Sequence, residues 1–176
     1  MRGCGMSMKK RSPRGTSSRK GPDRDECLAM SRLCLSMNLR RTERLVTRHY
    51  DSYLEPAGVT AVQLPMLAII ASAPQPSFRV LTEQLGLDRS TLSRNLGLLE
   101  RIGYVDIGPS SGPKPGLISL TAKGQDVLSR AHVQWKRAHR ALMKELDEDS
   151  LTDGMTFLKR LRQEARRAAI ARGPSD

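Results

Sequence analysis

Between Val80 and Lys123 the spacing of apolar residues changes period, and each change predicts a new element. Val80 to Leu85 reads as a short helix that stops at Gly86, where a residue free to take positive φ is cheapest. Asp88 then stands at an N-cap position, its carboxylate able to accept from backbone N–H groups two or three residues on. In the helix that follows, Leu92, Leu96, Leu99 and Ile102 fall on one side at 100° per residue and predict a buried face. The opposite side carries Arg89, Ser90, Ser93, Arg94, Gly97 and Arg101, with no bulky apolar residue. Gly103 ends the helix. Tyr104 to Ile107 predicts a strand, Gly108 to Gly116 a loop, and Leu117 to Leu120 the returning strand.

Longer patterns flank this segment. A helix predicted from Asp25 to Leu54 has two apolar stripes in its first half, Cys27, Met30, Cys34 and Met37 on one side and Leu28, Leu35, Leu39 and Val46 on another. In its second half Arg40, Arg41, Arg44 and Arg48 occupy the first stripe's side, which turns it toward solvent or a polar cavity. Further on, Leu128, Ala131, Trp135, Ala138 and Leu142 recur at a coiled-coil-like spacing. A last helix, from about Ser150, carries Leu151, Met155, Leu158 and Leu161. These terminal helices bear more apolar surface than a small central lobe can cover. The economical partner is a second copy of the chain.

Helix, turn, helix and hairpin in direct succession form the winged helix-turn-helix arrangement. The expected fold is mainly α with a small β-hairpin wing, a winged helix-turn-helix lobe joined to a helical dimerisation lobe. Arginines and hydroxyls on the outer face of the second helix are donors suited to guanine edges and phosphates in a major groove. The runs LGLDRSTLSRNL (85–96), LERIGYV (99–105) and SLTAKG (119–124) resemble the MarR family of bacterial transcription regulators, with weaker similarity from about Cys27 to Leu161. By that resemblance Ser93 and Arg94 match the recognition-helix pair that contacts DNA, and Arg89 and Ser90 match positions near the start of the same helix. It implies a domain over residues 25–170, with dimerisation helices at 25–58 and 122–170 around a DNA-binding lobe at 60–121. The implied function is a repressor that sits as a homodimer on pseudo-palindromic double-stranded DNA, its half-sites ~34–36 Å apart. A small anionic or aromatic ligand would release it. The wing departs from the family pattern, because Lys114 is the only cation between Ser110 and Pro115. A point-charge lysine suits a narrow minor groove less well than an arginine, so Lys114 is expected to touch phosphate at most.

Charge agrees with a polyanionic partner: the 176-residue chain has a formal net charge of +12 and a pI near 10.4. The distribution is uneven. Residues 1–24 contain eight cations and one carboxylate. With no apolar periodicity, residues 1–24 and 171–176 are expected to be disordered tails. The basic tail reads either as a plain extension or as a nonspecific phosphate-binding arm. The second option supports an alternative function, a winged-helix protein-interaction module that holds nucleic acid through its tail. No secretory segment and no apolar run of ~18 residues appears, which predicts a cytoplasmic protein without a membrane partner.

Candidate chemistry is sparse. His49, His132 and His139 form no metal-ligand pair, the three cysteines lack paired ligand spacing, and no catalytic dyad or phosphate-cradling loop is present. No enzymatic activity, metal or cofactor is expected. The family resemblance raises a thiol-based redox alternative, with Cys34 near the sensing position of one branch, Tyr50 near an assisting tyrosine and Ala61 where a second tyrosine would stand. Cys27 and Cys34, seven residues apart, would lie about 10.5 Å apart along one continuous helix and could not pair within it. For a ligand switch, Arg40, Arg44 and Arg48 with the segment Ala61–Ile70 would flank the cleft.

Overall fold

The computed structural model describes residues 21–73, 76–108, 117–144 and 146–173. The chain divides into an N-terminal unit that ends at Arg41 and a main unit that begins at Thr42. In the N-terminal unit, Asp23 caps helix α1 (Arg24–Leu33) by accepting from the backbone N–H of Asp25 and Glu26, while Glu26 reaches back to the N–H of Asp23. This corrects the expected 1–24 tail, since Asp23 and Arg24 belong to the helix. Likewise the last helix runs on to Arg172, past the expected start of the C-terminal tail at residue 171.

The continuous helix expected from Asp25 to Leu54 is also corrected. Cys34 adopts ψ 103°, which ends α1, and α2 (Leu35–Leu54) starts after it. The Asn38 side-chain amide donates to the carbonyls of Arg32 and Cys34, both at 3.0 Å. A side-chain amide that takes up backbone carbonyls competes with the helical ladder. No residue of α1 is buried, so the stripe from Cys27 to Met37 is an exposed surface in this unit rather than a core face.

The main unit continues with a single turn at Glu55–Ala57, α3 (Gln63–Ser72), α4 (Phe78–Leu85), α5 (Arg89–Arg101), β1 (Val105–Ile107), β2 (Ile118–Leu120), α6 (Ala122–Met143) and α7 (Glu148–Arg172). β1 and β2 pair antiparallel in the register Val105–Leu120, Asp106–Ser119 and Ile107–Ile118. Leu92, Leu96 and Leu99 of α5 are fully buried with Leu54, Met66, Leu67, Leu81, Ile118 and Val127. Each such side chain contributes about 1.5–3 kcal/mol by leaving water. That burial fixes which way α5 faces.

The end of α5 is closed by a Schellman arrangement, in which Gly103 N–H donates to the Glu100 carbonyl and Tyr104 N–H to that of Leu99, each at 2.8 Å. Gly103 takes φ 77°, which costs a residue without a β-carbon little. The Thr121–Gly124 run clamps the same junction. Thr121 Oγ1 donates to the Gly103 carbonyl at 2.7 Å and accepts from Gly124 N–H, which caps α6. Lys123 Nζ donates to the Ile102 carbonyl at 2.8 Å and lies over the Tyr104 ring. Tyr104 Oη in turn donates to the Gly58 carbonyl. The end of α5, the hairpin and α6 are thereby tied at one point.

No residue of α7 is buried; Leu151, Leu158 and Leu161 are half-buried, and Met155 and Phe157 are exposed. Among the described residues, no helix is long and apolar enough to cross a membrane.

Candidate nucleic-acid interface

The outer face of α5 follows from its inner one. With Leu92, Leu96 and Leu99 inside, Arg89, Ser90, Ser93, Arg94 and Arg101 are exposed together. None of the three arginines forms an ion pair with a carboxylate among the described residues. Gly97 sits between them, and a β-carbon there would meet nothing within 4 Å of this chain. The Arg89 guanidinium carbon lies 5.7 Å from the centroid of the Phe78 ring, a cation–π contact that holds it near the start of the helix. Phe78 was not singled out from sequence, because it belongs to the preceding helix and only the turn brings it under Arg89.

Asp88 has the capping role expected of it. One carboxylate oxygen accepts from Thr91 N–H at 2.8 Å and from Ser90 Oγ at 2.6 Å; the other accepts from Thr91 Oγ1 at 2.8 Å. Ser90 therefore commits its one proton to the cap, which leaves only its lone pairs for a further partner. These hydrogen bonds, Ser90's first, hold the Asp88 carboxyl well below the usual carboxylate range. A folded-state pKa below the unfolded one stabilises above the unfolded value, near 3.9, and that stabilisation is lost as pH falls through the folded value. Asp88→Asn keeps an acceptor at the cap but not the titration. The stability advantage of the wild type over this variant is expected at neutral pH and to shrink progressively as pH falls below about 4. Denaturant unfolding across pH checks this, and a pH-independent difference would contradict it.

Lys114 and the wing tip lie outside the described residues. Of the expected ligand residues, Arg40, Arg44 and Arg48 are exposed. Arg48 Nε donates to the Arg44 carbonyl within its own helix. A cavity of about 480 Å³ is lined instead by Val46, Thr47, Tyr50, Leu54, Leu64 and Trp135, with His132, Leu128 and residues between Ala61 and Ala68. Residues between Ala61 and Ala68 thus form one wall of this cavity, and Arg40, Arg44 and Arg48 do not line it. This cavity is mostly apolar.

Two hydrogen bonds join α2 to α6 beside this cavity: His49 Nε2 with the Ala138 carbonyl at 2.8 Å, and Tyr50 Oη with His139 Nδ1 at 3.1 Å. Burial pushes the Tyr50 hydroxyl pKa upward, so it stays protonated. Trp135 stacks between His132 and His139, with interplanar angles of 14° and 11°. Of the redox candidates, Cys34 is exposed in the N-terminal unit, while Tyr50 is half-buried in the main one. The break follows Cys34, whose N–H still donates to the Met30 carbonyl at 2.9 Å, so the helical spacing from Cys27 holds up to it. Among the described residues no cluster of three potential metal ligands occurs.

A capped helix with cations and hydroxyls outside, leucines inside and a hairpin tied to its end defines a winged helix-turn-helix DNA-binding protein. Sequence comparison narrows the class. The model of the MarR family matches residues 57–114. The multiple antibiotic resistance protein MarR of Escherichia coli is 28% identical over 139 residues, which cover 78% of this chain and 93% of that protein. Two solved structures align with a TM-score of 0.67 over 76% of this chain: a cysteine-to-serine mutant of E. coli MarR complexed with operator DNA (26% identity, 97% of that chain covered), and the M. tuberculosis transcriptional regulator MosR in complex with DNA (28% identity, 98% covered). The chain is thus similar to the MarR family of transcription regulators, through the family model at residues 57–114 and these relatives.

Proposed function

We propose that this regulator is a repressor that occupies a pseudo-palindromic DNA site as a homodimer and leaves it when a small aromatic ligand fills the cavity beside Trp135. The observation that carries the reading is the α5 surface, on which Ser93, Arg94, Arg89 and Arg101 are exposed while the leucines opposite are buried. Ser93 and Arg94 read bases, and Arg89 fixes the register on phosphates, while Ser90 supports the helix start through its hydrogen bond to Asp88. Residues 60–121 form the DNA-binding lobe, and the flanking helices, with the exposed apolar positions of α1, α2 and α7, meet their counterparts in the second copy. The regulator acts by binding and not by turnover. Selection from a random duplex pool at near-physiological salt tests the reading. A pseudo-palindrome with half-sites one helical turn apart is the expected result; enrichment of no sequence would overturn it.

The ligand is aromatic because the cavity offers an indole edge and aliphatic walls, with Thr47, Tyr50 and His132 as the polar partners. It acts only if it prefers the arrangement unable to bind DNA. Trp135 is the single tryptophan of the chain and is 37% exposed in the cavity wall. A panel of aromatic compounds is therefore expected to include members that change its fluorescence saturably and release DNA over the same concentration range. Release without a change at Trp135 would place the ligand elsewhere.

A further inference from the structure

The positive charge of this DNA-binding chain lies mostly outside its winged lobe. Residues 25–158, which contain the whole lobe, carry sixteen cations and fifteen carboxylates. Affinity for a duplex depends on neutralising phosphates, and a nearly neutral lobe supplies little of that. The folded excess is concentrated at the end of α7. Between Lys159 and Arg172 there are six cations and one carboxylate, Glu164.

Helical geometry sorts these charges onto one side. At 100° per residue Lys159, Arg160, Arg162, Arg166 and Arg167 span less than half the circumference; Leu158 and Leu161 lie outside that arc, with Arg162 at its edge about 40° from Leu158. All five are exposed, whereas Leu158 and Leu161 are half-buried. Arg167 pairs with Glu164 at 2.8 Å; Lys159, Arg160, Arg162 and Arg166 pair with no carboxylate among the described residues. Like charges at i,i+3 and i,i+4, as in Lys159–Arg162–Arg166, repel one another unless an anion lies against them. The stripe also has a direction. Arg166 donates through a terminal guanidinium nitrogen to the Glu83 carbonyl in the last turn of α4, at 3.4 Å. Its basic side thus borders the helix-turn-helix, three residues ahead of the turn at Gly86 that leads into α5.

We infer that the basic face of α7, through Lys159, Arg160, Arg162 and Arg166, is a second DNA-contacting surface that grips backbone phosphates beside the duplex read by α5. The inference rests on the proposed reading of α5 for where the duplex lies. It assigns α7 two uses, an apolar side for protein and a basic side for nucleic acid. The basic side carries affinity and not sequence preference.

The test compares the full-length wild type with the triple variant Lys159→Gln, Arg162→Gln, Arg166→Gln. Binding to the selected duplex, with and without about 10 additional flanking base pairs, is measured over a salt series. Each lost phosphate contact lowers the slope of log K against log salt by about 0.9. The expected result is a slope smaller by two or more, at least tenfold weaker binding to the flanked duplex, and unchanged base preference. An unchanged slope overturns the inference. A hydroxyl-radical footprint of the wild type, which does not depend on how the variant folds, should extend into the flanks; protection confined to the selected sequence also overturns it. Failure of the α5 reading looks different, since no sequence would then be selected or Arg94→Ala would leave the preference intact.

Discussion

Arg94→Ala is expected to abolish most of the discrimination between the selected duplex and a scrambled one. A bidentate arginine contact to a guanine edge contributes about 1–3 kcal/mol of discrimination, and a dimer makes it twice. Affinity for the cognate duplex should therefore fall at least tenfold, while binding to scrambled DNA changes little. The reason is local. Arg94 is exposed on the middle of α5, pairs with no carboxylate among the described residues, and stands one turn from Gly97, where the helix backbone is bare on that side. Competition binding with the two duplexes measures the effect. A uniform loss on both would instead make Arg94 a phosphate contact.

Gly124→Ala is expected to be the most destabilising single substitution at a position without a side chain. A β-carbon at Gly124 would overlap the backbone carbonyl of Tyr104, which already accepts from Thr121 N–H at 3.2 Å. A flexible side chain could swing aside; a carbonyl inside a closed junction cannot. Overpacking costs typically 1–3 kcal/mol and occasionally more, and this site belongs at the upper end. At about 2–4 °C per kcal/mol for a chain of this size, the melting temperature should drop by about 10 °C. Gly97→Ala is the matched control, because a β-carbon there meets open space and alanine is the better helix former. Equal melting temperatures for the two variants would contradict the clash.

Much of the α5 surface was legible in sequence. The leucines at 92, 96 and 99 specify the buried side at a period no strand shares, and Asp88 marks the start. The parts that were not legible have definite physical reasons. The break at Cys34 involves no glycine or proline; it accompanies an asparagine four residues later that takes up backbone carbonyls. Ser90 matches a position near the start of the recognition helix, but its proton is captured by Asp88 two residues away. The cavity draws its walls from α2, α3 and α6, so no local spacing could announce it, and the arginines expected there are turned toward solvent. The SLTAKG run was legible only as resemblance. Its physical content is a threonine that caps α6, a lysine that takes up a helix-end carbonyl, and a glycine required by close approach.

The clamp around Tyr104 has a mechanical consequence. Helix end, hairpin and α6 meet there through Thr121, Lys123 and the Tyr104–Gly58 hydrogen bond, so the lobe has no soft joint between what reads DNA and what connects it to the rest of the chain. On the proposed reading, a ligand against Leu54 and Ala61 would turn the lobe as a block, with α6 as the lever arm, rather than bend α5 away from a groove. In the proposed homodimer, the quantity a signal would adjust is then the gap between two rigid lobes.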